Sequence, residues 1–188
     1  PLVALGLPDP GELTNVGLPA MRALAEVSMV LTIGALLLAS FLVPPQKSGY
    51  LDVAGFRAVR VAFWTAAAWS VAALLMIPLS VADALGRPVT DVFDLGLLVD
   101  LVPRLATAWA WTLTSVFALI VLAGTRTVLS WGWTAVLFGV SLAGPLPVAF
   151  TGHSSSGGAH DVATNSLVLH LLAASLWVGG LAAVVVLA

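Results

Sequence analysis

The sequence predicts an all-α, polytopic transmembrane helix bundle of about five spans. Three observations carry this. Hydrophobic residues fill 60% of the 188 positions and charged residues only 9%. Mean hydropathy is +1.08, more than a compact water-soluble domain can keep solvated. Charges also vanish for stretches of about 20 residues, the length a helix needs to cross a hydrocarbon core of about 30 Å. The connecting loops are short, so 1–188 reads as a single membrane-embedded domain.

The first span is expected over about Ala20–Val43, ending where Pro44 and Pro45 cannot continue a helix. The second is expected over about Val59–Val81, the third over about Leu105–Ala123, the fourth over about Trp131–Phe150 and the fifth over about Ala163–Ala188. Between spans two and three, residues 89–102 are apolar but interrupted by Asp91, Asp94 and Asp100, too short and too charged to cross. Phe93, Leu97, Leu98 and Leu101 recur there at helical spacing with Asp94 facing away, the pattern of a helix lying in the membrane interface. A partly ordered loop is the plainer reading. Gly144, Pro145 and Pro147 interrupt span four near its end, and unwound backbone at that depth needs protein or a water-filled cavity around it. Trp131 and Trp133 suit an aromatic belt at the other end of that span. The chain starts at Pro1 without a methionine and stops at Ala188 inside an apolar run, so it is expected to be a piece of a longer protein whose remaining helices are missing here.

Orientation follows from the basic residues, because short loops rich in Lys and Arg stay on the cytoplasmic side. Lys47, Arg57 and Arg60 follow span one and Arg126 follows span three, which places both loops in the cytoplasm. Asp9, Glu12, Asp83, Asp91, Asp94 and Asp100 then face outward, as does the loop before span five. Arg22 is the cation on the wrong side, and Glu26, one turn later, is its natural partner. The absence of cysteine excludes disulfides, thiolate metal sites and thiol catalysis within this chain. A net charge of −2 argues against nucleic acid as a partner. No Ser-His-Asp spacing, phosphate-binding glycine loop or HExxH pattern is present, so nothing marks an enzyme.

The chemistry gathers in TGHSSSGGAHDVATNSLVLHLLAASLWVGG, Thr151 to Gly180, which holds all three histidines, His153, His160 and His170. Serines and glycines between the first two make a strap that can fold back. Asp161 or Thr164 can cap the helix that begins beside His160. His170 then lies roughly 9 to 14 Å further in, inside the membrane. A titratable ring at that depth is costly unless it faces the bundle interior and finds a partner. Ala173, Ala174, Trp177 and Gly180 follow on its helix face, where small residues let a backbone or a flat ligand approach. The plainer reading is a structural imidazole bonded to a neighbouring helix.

His160 and His170 differ by about 15 Å in height and cannot share an ion on one regular helix. His153, His160 and Asp161 could form an outer site with the mixed nitrogen and oxygen donors suited to Cu(II). His170 would belong to a second, deeper site completed by Glu26 or Met29 on span one, thioether favouring Cu(I), or by helices outside this chain.

The combination FTGH, HDxATNSLxLH and LLAASLWVGGL resembles the copper resistance protein D (CopD) family of bacterial inner-membrane proteins. GLPDPGELTNVGLP and SWGWTAVLFGVSLAGPLPVAF further resemble long bacterial proteins in which a CopD-like half precedes a half similar to cytochrome c oxidase assembly factors. The resemblance implies a multi-pass protein of the plasma membrane, its histidine loop outside. It would take copper from the outer face and pass it inward or to oxidase assembly, by ligand exchange rather than catalysis. It also implies His153, His160 and His170 as metal ligands, and a periplasmic copper carrier or oxidase components as partners. The methionine-rich entrance of a Cu(I) path is missing, since the chain has only Met21, Met29 and Met76. Two rivals stand beside this reading. One is a b-type haem protein with His170 as an axial ligand beneath the small-residue face. The other is a structural membrane subunit without metal.

Overall fold

The computed structural model describes residues 9–151 and 160–187; in the second stretch the side chains described are those of residue 166 and residues 168–186. All the named elements are helical: α1 (Glu12–Leu37), α2 (Val53–Leu85), α3 (Leu95–Leu101), α4 (Ala106–Thr127), α5 (Trp131–Ala143), α6 (Leu146–Phe150), α7 (His160–Ala174) and α8 (Gly180–Leu187). One π-helical turn, Leu38–Leu42, extends α1, and another, Ser175–Gly179, joins α7 to α8. Five helical stretches are long and apolar enough to cross a membrane: Glu12–Leu42, Val53–Leu85, Ala106–Thr127, Trp131–Phe150 and Val168–Val186.

Each predicted span is there, and the first two are longer than the sequence suggests. α1 runs through Pro19 and α2 through Pro78, because in an apolar bundle neighbouring groups satisfy what proline frees. α1 begins earlier because Asp9 takes the Gly11 N–H at 3.0 Å and Gly11 turns with φ 82°, a value that favours glycine. α2 ends at Gly86, φ 59°, where the Arg87 N–H reaches back to the Ala82 carbonyl.

The centre of the bundle is α1, α2 and α4, with α5 along one side. Ala58, Ala62, Ala66 and Ala73 are fully buried along α2, and this near-regular row of small side chains lets α1 and α4 approach. The larger Ile33, Leu36, Trp69, Met76 and Trp111 fill the remaining space. With no water-driven force inside a bilayer, such close packing and a few buried hydroxyls hold helices together. The Thr32 and Thr65 hydroxyls, 2.9 Å apart, join α1 to α2 in this way.

One end of the bundle is clipped by the two short loops that carry Lys47 and follow Arg126. Tyr50 bridges Ser130, the Leu51 N–H donates to the Leu129 carbonyl, and the Trp131 indole donates to the Ser40 carbonyl at 2.6 Å. Both basic loops therefore share an end, as the charge pattern predicts. At the other end α3 is a short helix, capped by Asp94, whose carboxylate accepts the Gly96 N–H at 2.8 Å. Leu97, Leu98 and Leu101 pack with Val89 against the cluster of Val81, Val92 and Ala108. Phe93, expected on that buried face, is instead exposed, because it precedes α3 in the turn where Val92 goes inward.

Candidate functional site in the middle of the bundle

Span four breaks where the sequence predicts. α5 stops at Ala143, Gly144 and Pro145 turn, and α6 resumes at Leu146. The carbonyl freed at Gly144 is satisfied by the buried Thr114 hydroxyl of α4 at 3.0 Å. The Trp69 ring lies against Gly144 so closely that a Cβ there would collide with it. The break is thus a notch cut for an indole.

Beside the notch is a small, partly enclosed cavity of about 30 Å³. Glu26 and Met29 line it from α1, Trp69 from α2, Trp111 and Thr114 from α4, and Leu171 from α7. Trp69 stands at the middle of α2, and the lining residues of α1, α2 and α4 lie roughly 18 to 24 Å from the Lys47 and Arg126 end at about 1.5 Å per residue. Glu26 and Met29 are three apart, so both project from one face of α1. Met29 is buried, whereas Glu26 is half-buried and pairs with Arg22, Nε to Oε1 2.9 Å, the partner expected for it. The Trp69 indole N–H is buried and has no acceptor among the described residues. A space of this size holds one water or one unhydrated ion.

The histidines are distributed differently from the expectation. α7 begins at His160, as predicted, but Asp161 and Thr164 lie inside the helix rather than at its cap. His153 lies outside the described residues, as do the side chains of His160 and Asp161, so the outer site of His153, His160 and Asp161 does too. His170 was expected to face the bundle interior. It is exposed. Leu171 takes the inward position, and Ser175, Gly179 and Gly180 continue that buried side. The physical reason is the closeness of α1. Gly34 and Gly179 approach backbone to backbone, leaving no room for a Cβ on either, and a Cβ on Gly180 would press on Leu37 at 3.0 Å. The tightest side of span five therefore turns to α1 and sets His170 on the flank. The small-residue face is divided accordingly, with Ala173 and Trp177 exposed and Gly180 buried. Among the described residues no three His, Cys, Asp or Glu side chains are gathered to hold a metal ion.

The family described as copper resistance protein D-like, N-terminal domain, matches residues 13–162. The chain belongs to this family. The match takes in four of the five spans of this copper resistance protein D-like domain, together with His153 and His160, and stops before His170. Three uncharacterized mycobacterial proteins are similar. One from Mycobacterium leprae is 28% identical over 170 residues, covering 90% of this chain and 26% of that protein. Others from Mycobacterium bovis and Mycobacterium tuberculosis are 27% identical over 168 residues, covering 89% of this chain and 25% of each relative. The chain thus spans about a quarter of the length of the curated relatives it matches. No solved structure matches it significantly.

Sequence reasoning named Glu26 and Met29 but missed Trp69, Trp111 and Thr114, which close the cavity around them. A signal was available in AAAWSVAA, where one large ring sits among small residues and needs a matching notch elsewhere.

Proposed function

We propose that this copper-related membrane domain binds copper within the bilayer and passes it on by exchange of ligands, with no chemical transformation of a substrate. One observation carries the reading: Glu26 and Met29 share a small cavity at mid-height of the bundle, and its wall on span five is Leu171, the neighbour of His170. A thioether suits Cu(I) and a carboxylate suits Cu(II), so Met29 and Glu26 offer the cavity a donor for either state. Copper is the cargo. A bare ion fits a cavity of about 30 Å³, whereas a hydrated one does not, so entry requires the protein to replace water ligands. The Trp69 N–H is a donor only and would turn to a water or to the Glu26 carboxylate, not to the cation.

His153 and His160 supply the capture step in this reading, His160 standing about 15 Å from His170 along span five. His170, on the outer flank, takes its further donors from outside the described bundle. The charge pattern puts the histidine loop on the extracytoplasmic side of a bacterial plasma membrane. Onward transfer, across the membrane or to cytochrome oxidase assembly, follows the family resemblance. A bound haem is less well supported: the cavity is far too small for a macrocycle, and Gly180 of the proposed flat face is covered by Leu37.

The test is copper content of the purified full-length protein, with copper-dependent growth beside it. Met29→Leu, Glu26→Gln and His170→Ala are each expected to lower both. A Soret band in the purified protein, or unchanged copper content in all three variants, would favour the haem or structural alternatives.

A further inference from the structure

At the clipped end of the bundle a groove of about 260 Å³ opens between α2 and α4. Arg60 enters it from α2 and Arg126 from α4, and Phe56, Phe63 and Trp64 form much of its apolar wall. Both arginines are exposed. Among the described residues the salt bridges are Arg22 with Glu26 and Arg104 with Asp100, so neither groove arginine has a carboxylate partner there. Asp52, the acidic residue of this end, opens on a separate hollow with Gln46 and Tyr50. The Thr125 hydroxyl in the groove is spent on the Val121 and Leu122 carbonyls of its own helix.

Two guanidinium groups converging from different helices repel one another unless an anion lies between them. Arg60 lies two turns into α2 and shares this one groove with Arg126 and an apolar wall. A guanidinium fork matches a phosphate. A free anion would leave the other wall unexplained. Phe63 and Trp64 stand edge to face at 5.1 Å, and Trp64 is 64% exposed, continuing the groove along the apolar flank of the bundle. Charge at one end and hydrocarbon along the other is the chemistry of a phospholipid.

From this juxtaposition we infer that Arg60, Arg126, Phe63 and Trp64 form a binding site for an anionic phospholipid. Its phosphodiester lies between the two arginines and its acyl chain along the aromatic wall. The site is separate from the cavity of Glu26 and Met29 and does not depend on the copper reading.

The test uses the full-length protein in nanodiscs of phosphatidylcholine with or without phosphatidylglycerol, with native mass spectrometry to count retained lipids and thermal unfolding as a second readout. The wild-type protein is expected to retain phosphatidylglycerol over phosphatidylcholine by roughly tenfold, and to unfold at a higher temperature when it is present. Arg60→Gln with Arg126→Gln should abolish both effects, while Arg57→Gln, outside the groove, should keep them. Inorganic phosphate in phosphatidylcholine discs should give no such protection. Equal retention of the two lipids by the wild type overturns the inference, even if the double variant fails to fold. Protection by phosphate alone overturns it too, as does a folded double variant that still prefers phosphatidylglycerol, which would point to the membrane's general charge.

Discussion

Gly34 and Gly179 meet backbone to backbone across spans one and five, so closely that neither position has room for a Cβ. The π-helical turn Ser175–Gly179 makes the approach possible, since its wider turn brings Gly179 against α1. This contact turns span five, puts Leu171 at the cavity wall and leaves His170 on the flank.

Replacing either glycine should therefore be felt strongly. Gly34→Leu or Gly179→Leu is expected to cost about 3 kcal/mol or more, because backbone on the far side cannot yield as a side chain would. Gly132→Ala and Gly139→Ala, where an added Cβ meets nothing, should be near neutral. Thermal unfolding in detergent checks both pairs. Equal midpoints for all four variants would mean that spans one and five are not packed in this way.

The break in span four makes a second prediction. Thr114 donates to the Gly144 carbonyl in a buried setting, so Thr114→Val removes one hydrogen bond and leaves that acceptor unpaired, a loss of about 1 to 3 kcal/mol. Gly144→Ala should cost at least as much by displacing the Trp69 ring. If the fourth span is continuous and the turn at Gly144 absent, Thr114→Val will be silent in a denaturation series.

Trp131 holds the other end. Its indole donates to the Ser40 carbonyl, which belongs to the π-helical end of α1. Trp131→Phe keeps most of the ring and loses the donor, so a drop of about 1 kcal/mol is expected. Hydrogen exchange of residues 38–42 should rise with it. Unchanged exchange there would show that the clip contributes nothing.

Much of the fold was legible because hydrophobic length is a direct physical requirement of the bilayer. The five spans, the break at Gly144 and Pro145, the shared end of the two basic loops and the Arg22–Glu26 pair all followed from hydropathy, turn chemistry and charge. The differences lie elsewhere. The first two helices extend past the charge-free stretches, α1 back to Glu12 and α2 from Val53 to Leu85, because turn chemistry at Gly11 and Gly86 rather than hydropathy sets where they end. His170 was placed inward because an unpartnered imidazole is costly at membrane depth. The closest face of span five is chosen by its glycines rather than by its polar residue. Arg60 and Arg126, more than sixty positions apart in the chain, could not be joined in one groove before the α2–α4 pairing was known.

The copper reading stands most directly on Met29. X-ray absorption of the Cu(I)-loaded, full-length protein reports whether sulfur is bound to the metal, and with no cysteine in these residues a thioether is the sulfur donor they offer. Met29→Leu conserves volume and should leave the bundle folded. A sulfur shell present in the native protein and lost in that variant is the predicted result. A spectrum with the same ligands in both proteins would contradict a copper site in the cavity of Glu26 and Met29.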